Sequence, residues 1–104
     1  MPGICLKLYV SEAQRHNGKL LHEWPLEQAK ALGIKGGTAI RAIDGYGRHG
    51  RLHEETFFEL AGDLPVEVEF LLDEAQCESL LERIRTLQLR LFYVKMPAEF
   101  GVTQ

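Results

Sequence analysis

From Ile4 to Val10 the hydrophobic positions alternate, with Ile4, Leu6, Leu8 and Val10 on one side and Cys5, Lys7 and Tyr9 on the other. That is the period of a half-buried strand. The stretch Ser11 to Lys19 is polar and carries Asn17-Gly18 as a turn signal. Leu20 to Leu32 predicts a first helix, with Leu21, Trp24 and Leu32 on one face and Gly33 as its stop. Pro25 falls inside that span, so either the regular helix starts near Trp24 or its first turn is distorted. After Gly36-Gly37, the β-branched run Thr38 to Ile43 predicts a second strand. Val66 to Leu72 alternates again: Val66, Val68, Phe70 and Leu72 make an apolar side, and Glu67, Glu69 and Leu71 a largely acidic one. Asp73 and Gln76 have the spacing of a capping box, and Cys77, Leu80, Leu81, Ile84 and Leu87 then follow helical spacing. Leu89 to Val94 predicts a fourth strand, and Met96-Pro97 a loose tail.

The order strand, helix, strand, strand, helix, strand is the split β-α-β arrangement of an α+β, ferredoxin-like fold. Its four-stranded antiparallel sheet carries both helices on one face and leaves the other uncovered. The sequence places Lys7, Tyr9, Arg41, Glu67, Glu69, Arg90 and Phe92 on the uncovered face. Opposite charges and aromatics there can pair across strands, and both a solvated face and packing against other subunits fit the pattern. The 104 residues form one domain, 1–104, large enough for a single core without disulfides or a structural metal.

The two cysteines, Cys5 and Cys77, sit in apolar patterns far apart, which reads as reduced core packing in a cytoplasmic protein. No stretch reaches the roughly 18 apolar residues of a membrane span, and Met1 to Val10 is not a signal peptide. The expectation is a cytoplasmic protein without direct membrane insertion. A net charge of -3 argues against nucleic acid as a partner. An anion site would have to be a local concentration of positive charge.

Such a concentration follows the second strand. Arg41-Ala42-Ile43-Asp44-Gly45-Tyr46-Gly47-Arg48-His49-Gly50-Arg51-Leu52-His53 sets glycines among basic and titratable side chains. The whole connection runs from Asp44 to Pro65, far beyond the usual length of about four to six residues, and long connections of this kind are usually functional. Backbone amides of a glycine-rich turn can form an anion-binding concavity, which Arg48 and Arg51 would complete with forked, charge-assisted hydrogen bonds. A second basic cluster, Arg15, His16 and Lys19, lies in the loop after strand one.

Taken together, Leu8-Tyr9-Val10 with Ser11-Glu12, Arg15-His16-Asn17-Gly18-Lys19, Gly36-Gly37-Thr38-Ala39, the run Arg41 to His53, and Asp63-Leu64-Pro65-Val66 resemble the uncharacterised PII-like signalling proteins. The most specific part is the spacing Gly45-x-Gly47-x-x-Gly50-x-x-His53 after a strand. The resemblance implies a homotrimer of ferredoxin-like subunits in which the long connection acts as the T-loop of PII proteins. It also implies a small anionic effector, an adenine nucleotide in PII relatives, and a protein partner, often a membrane transporter. PII proteins carry a glycine-and-lysine phosphate loop between helix two and strand four. Here that join is the compact Arg85-Thr86-Leu87-Gln88, so phosphate contacts fall to other residues. The candidate ligand-binding set is Arg41, Gly45, Gly47, Arg48, Gly50, Arg51 and His53.

Other chemistries fit less well. Gly45 to Gly50 spells G-x-G-x-x-G, but the dinucleotide fingerprint needs an opening helix inside a parallel β-α-β unit, and Arg51 to Phe58 is a poor helix. His49 and His53, with Glu54 and Glu55 nearby, offer an alternative metal-responsive reading, although Gly50 disfavours the helix that would align them. A protein-only interaction module is a further alternative. No nucleophile-base arrangement marks a catalytic residue, so no enzyme activity is expected. RNA-binding modules share this element order, but Glu67 and Glu69 on strand three would repel a phosphate backbone.

Overall fold

The computed structural model describes residues 2–43 and 64–104, and in it the alternating N-terminal run becomes a central strand. Among the described residues the elements are β1 (Pro2–Ser11), β2 (Arg15–His16), β3 (Lys19–Leu20), α1 (Glu23–Ala31), β4 (Gly37–Arg41), β5 (Pro65–Leu72), α2 (Glu74–Thr86) and β6 (Phe92–Glu99). The main sheet has the order β4-β5-β1-β6, and each neighbouring pair is antiparallel. This is the ferredoxin-like arrangement the sequence predicts, with the predicted strands two, three and four appearing as β4, β5 and β6.

The inward positions of β1 and β5 alternate as read. Leu6, Leu8, Val10, Val66, Val68, Phe70 and Leu72 are all buried, and they pack with Cys77, Leu80, Leu81 and Ile84 of α2 and Ala29 of α1. At roughly 1.5–3 kcal/mol for each fully buried large apolar side chain, this single layer supplies most of the driving force for folding. Both cysteines are free and buried, and burial pushes both thiols upward in pKa. That suits packing rather than reactivity.

Both helices are closed by local hydrogen bonds written into the sequence. Pro25 is the third residue of α1, where its missing amide would have had no helical partner, so the helix can start at Glu23 and hold it. At the C-terminus, Gly33 has φ +82°, its amide donates to the Lys30 carbonyl at 3.1 Å, and Ile34 donates to the Ala29 carbonyl at 3.0 Å. This Schellman closure ends the helix where Gly33 predicts. Asp73 and Gln76 form the reciprocal capping box of α2, with Gln76 N–H donating to Asp73 Oδ1 at 2.7 Å. The other end of α2 repeats the Schellman pattern with a non-glycine residue. Gln88 has φ 59° and donates to the Arg85 carbonyl at 2.8 Å, and Leu89 donates to the Ile84 carbonyl at 3.3 Å.

That closure corrects the fourth strand. Leu89 to Val94 was its expected span, but the Leu89 amide is used to cap α2, and Leu89 and Leu91 pack against the core instead. β6 therefore starts at Phe92 and continues through Met96-Pro97 to Glu99, where a loose tail was expected. Proline is tolerated because β6 is an edge strand, so one side of its backbone needs no ladder partner. Lys95 fastens β6 to α2 through Glu74 at 2.6 Å and Glu78 at 2.8 Å. Those hydrogen bonds, Glu74 first, raise the Lys95 pKa.

The start of the first helix also moves. Leu20 belongs to β3, which pairs with β2 around Asn17 (φ 53°) and Gly18 (φ 79°). Two successive positive φ values are what a two-residue type I′ hairpin turn requires.

Backbone geometry makes stability testable at two places. A Cβ added at Gly37 would lie 2.5 Å from Phe70 Cε1 and 2.9 Å from Leu26 Cδ2, whereas one at Gly36 would meet nothing within 4 Å. Gly37→Ala should therefore cost about 1–3 kcal/mol in urea unfolding, and Gly36→Ala within about 0.5 kcal/mol of nothing. Gln88→Gly removes the left-handed strain at the end of α2 and should raise stability by about 1 kcal/mol.

Candidate functional site

The topology brings Arg41, where the predicted effector region begins, to one end of the sheet. β1 and β4 flank β5 and both run antiparallel to it, so the two chain segments that follow β1 and β4 leave from the same end. There the Ala42 amide donates to the Pro65 carbonyl at 2.8 Å, and the Glu12 amide donates to the Leu64 carbonyl at 2.9 Å. The two bonds pinch the base of the long connection against the end of β1.

Arg41 closes β4 at this base. Its guanidinium Nη1 lies 3.0 Å from Glu12 Oε2, with the Arg41 side chain 63% exposed. Arg41 was expected on the uncovered face, but it pairs with Val66 and so points to the helix side of the sheet. The correction is one of register: with a period of two, β4 presents Thr38 and Ile40 to the open face, opposite Glu69 and Glu67. Arg90, also expected on that face, lies in the join between α2 and β6. Glu12 was missed by sequence reasoning. The strand order itself was the available signal, since a residue just after β1 must lie near the end of β4.

The second basic cluster sits at the same end on the β2–β3 hairpin. Arg15 donates to the Gly18 carbonyl at 3.0 Å, and Lys19 pairs with Glu27 of α1 at 2.7 Å. Of the candidate ligand set, Arg41 is the member the structure describes. Gly45, Gly47, Arg48, Gly50, Arg51 and His53 lie outside the described residues, as does His49. Among the described residues no group of three or more His, Cys, Asp or Glu side chains could hold a metal ion, and no helix is long and apolar enough to cross a membrane.

The open face carries the other polar constellation, and here Lys7, Tyr9, Glu67, Glu69 and Phe92 fall where the alternation puts them. Lys7 is opposite Glu69 and Tyr9 opposite Glu67. Tyr9 donates its hydroxyl to Glu67 Oε1 at 2.9 Å, and its ring meets Phe92 at a centroid distance of 5.7 Å with the planes tilted by 48°. Lys7 Nζ stands 3.9 Å from an oxygen of each carboxylate. Burial, then the bond to Glu67, pushes the Tyr9 phenol up to about 12. The two carboxyl groups act on each other, which holds Glu67 below its ordinary value and raises Glu69 above it. Around these groups Ile40, Leu71, Phe92 and Met96 are 39–49% exposed.

A groove of about 760 Å³ runs between α1 and α2, lined by Trp24, Leu32 and Leu87 among others. Arg83 crosses from α2 to α1 and donates to Gln28 Oε1 at 2.7 Å. Arg41, the described member of the candidate ligand set, does not line it.

Comparison with known proteins agrees with this architecture. The UPF0166 protein of Aquifex aeolicus (strain VF5) is 36% identical over 80 residues, covering 77% of this chain and 76% of that protein. The UPF0166 protein MJ1524 of Methanocaldococcus jannaschii is 32% identical over 79 residues, covering 76% of this chain and 72% of the relative. Among solved structures, CPII from Thiomonas intermedia K12, a nitrogen regulatory PII-like protein bound to ADP, AMP and bicarbonate, superposes with a TM-score of 0.66 at 16% identity, covering 100% of this chain and 98% of that one. A PII-like signaling protein from Thermus thermophilus gives a TM-score of 0.59 at 16% identity, over 93% of this chain and 87% of that one. At such identities these structures speak for the fold. The family model DUF190 (Uncharacterized ACR, COG1993) matches residues 3–95, and the chain belongs to that family.

Proposed function

We propose that this protein is a PII-like regulator that binds a small anionic effector, an adenine nucleotide, and signals its occupancy to a partner protein through the connection 44–63. The observation that carries this reading is the likeness along the whole chain to CPII, whose structure holds ADP, AMP and bicarbonate. Arg41 supports it, because an exposed guanidinium at the base of the long connection offers a planar fork suited to phosphate or carboxylate oxygens. In this reading Arg41, Arg48 and Arg51 contact the anion, Gly45, Gly47 and Gly50 shape the connection around it, and His53 anchors its far end. The protein is cytoplasmic and performs no chemistry on the effector. A membrane transporter is the kind of partner the PII likeness favours.

Assembly belongs to the same proposal. Both helices lie on one face of the sheet, and the other combines the exposed Ile40, Leu71, Phe92 and Met96 with charges of both signs. A homotrimer formed through this face would bury those side chains, and patches that are apolar yet charge-paired suit self-complementary contacts.

Thermal unfolding with ADP, AMP, ATP, bicarbonate and divalent metal ions tests the effector. A bound effector at about a hundred times its dissociation constant adds roughly 2.7 kcal/mol, readable as a rise in Tm. An adenine nucleotide should produce that rise, and Arg48→Ala combined with Arg51→Ala should weaken its binding by about tenfold or more. A panel without any shift would reject the effector and leave a protein-only interaction module; a shift with metal alone would favour His49 and His53 as ligands.

A further inference from the structure

One side chain at the base of the long connection has no part in the effector reading. Glu12 follows β1, and its Oε2 lies 3.0 Å from Arg41 Nη1. The contact is not made between neighbouring strands. Val10, Val66 and Arg41 form one row across β1, β5 and β4, so β5 stands between the strands that carry the two partners. Strands lie about 4.8 Å apart, which puts Arg41 about 10 Å from Val10 across the sheet, and Glu12 lies two residues further along. A gap of that width takes two long side chains to close, and glutamate and arginine supply them.

The backbone sets both ends of this bridge. The Glu12 amide donates to the Leu64 carbonyl at 2.9 Å, and beside Arg41 the Ala42 amide donates to the Pro65 carbonyl at 2.8 Å. Both partners are therefore anchored against the start of β5. What Glu12 offers Arg41 is an anionic oxygen, the same chemistry that a ligand's phosphate or carboxylate would offer. A guanidinium carries a fixed set of N–H donors in one plane, and the edge that faces Glu12 is open to an incoming oxygen only once Glu12 has left it.

We propose that Glu12 is a built-in competitor for the anion that Arg41 receives, so that effector binding exchanges the Glu12 carboxylate for an oxygen of the ligand. This rests on the contact between Arg41 and the effector proposed above, and adds the residue that sets its strength. The exchange discriminates by chemical class. A free monocarboxylate replaces like with like and loses its translational freedom, whereas Glu12 is already tethered, so such a ligand gains nothing at Arg41. A phosphate group brings about two negative charges and several acceptor oxygens, and it engages the fork through paired hydrogen bonds. The pair therefore favours phosphate over simple carboxylates. Its side chains are 63% and 36% exposed, and an exposed ion pair shifts an equilibrium by at most about fivefold, which bounds the penalty for displacing it.

Calorimetric titration of the full chain with ADP, with folding followed by circular dichroism, tests the exchange as a double-mutant cycle. Glu12→Gln keeps the size of the side chain and removes its charge, and it should bind ADP about two- to fivefold more tightly than wild type. Arg41→Gln should bind more weakly than wild type. Adding Glu12→Gln to Arg41→Gln should give no further gain, because the competitor has nothing left to occupy. An affinity in Glu12→Gln equal to or below that of wild type would overturn the competition. So would an Arg41→Gln affinity equal to wild type, or a gain of the same size with Arg41 replaced, which would mark a general effect of removing a negative charge. In each of these cases ADP still binds the wild type and the nucleotide reading stands. ADP that binds neither wild type nor Glu12→Gln would reject that nucleotide as the effector, and the competition with it.

Discussion

The described fold depends on a two-sided demand placed on β1. It is paired along both edges, to β5 and to β6, so its side chains decide what each face of the sheet becomes. Leu6, Leu8 and Val10 point to the helices and are buried. Cys5, Lys7 and Tyr9 point the other way, to a face that no helix among the described residues covers. With a side-chain period of two, a slip of one residue would exchange an oily core for a charged one, so burial of the first set fixes the position of the second. The Lys7, Tyr9, Glu67 and Glu69 constellation is thus held in place by hydrophobic packing on the far side of the same strands.

The same strand order determines which loops meet. Because β1 and β4 run in parallel on either side of β5, the hairpin after β1 and the long connection after β4 share one end of the sheet. Arg41 and Glu12 meet across the start of β5 for that reason, and the two backbone bonds to Pro65 and Leu64 make the meeting point narrow. Residues far apart in sequence are brought together by topology alone, with no motif that a linear reading could register.

Much of the fold was legible because its signals are local. Asp73 and Gln76 announce α2, Gly33 closes α1, and the alternation of Val66 to Leu72 fixes both faces of β5. The parts that were not legible depend on non-local competition. Leu89 looks like a strand residue until its amide is seen to be committed to the end of α2, and Gln88 hides that helix end because it occupies a conformation usually given to glycine. Pro97 looks like a strand terminator unless it is known to lie on a sheet edge. Arg41 was set on the wrong face because β4 is too short and too exposed for burial to reveal its phase. The candidate site was read as a basic, glycine-containing connection, all of whose proposed ligand residues but Arg41 lie outside the described residues, while the carboxylate that meets Arg41 came only from the fold.

That carboxylate sets the terms on which Arg41 can act. An exposed arginine-carboxylate pair contributes about 0–1 kcal/mol, because water competes for both groups and salt screens them. A charge-assisted hydrogen bond to a well-placed phosphate or carboxylate is worth about 1.5–3 kcal/mol. The Glu12 contact is therefore weak enough for a charge-assisted hydrogen bond to another anion to displace it. A buried pair at this position would have locked Arg41 away from ligands, and an unpaired arginine would have swept a wide volume and lost more side-chain entropy on binding. The partial exposure of both side chains lies between those extremes.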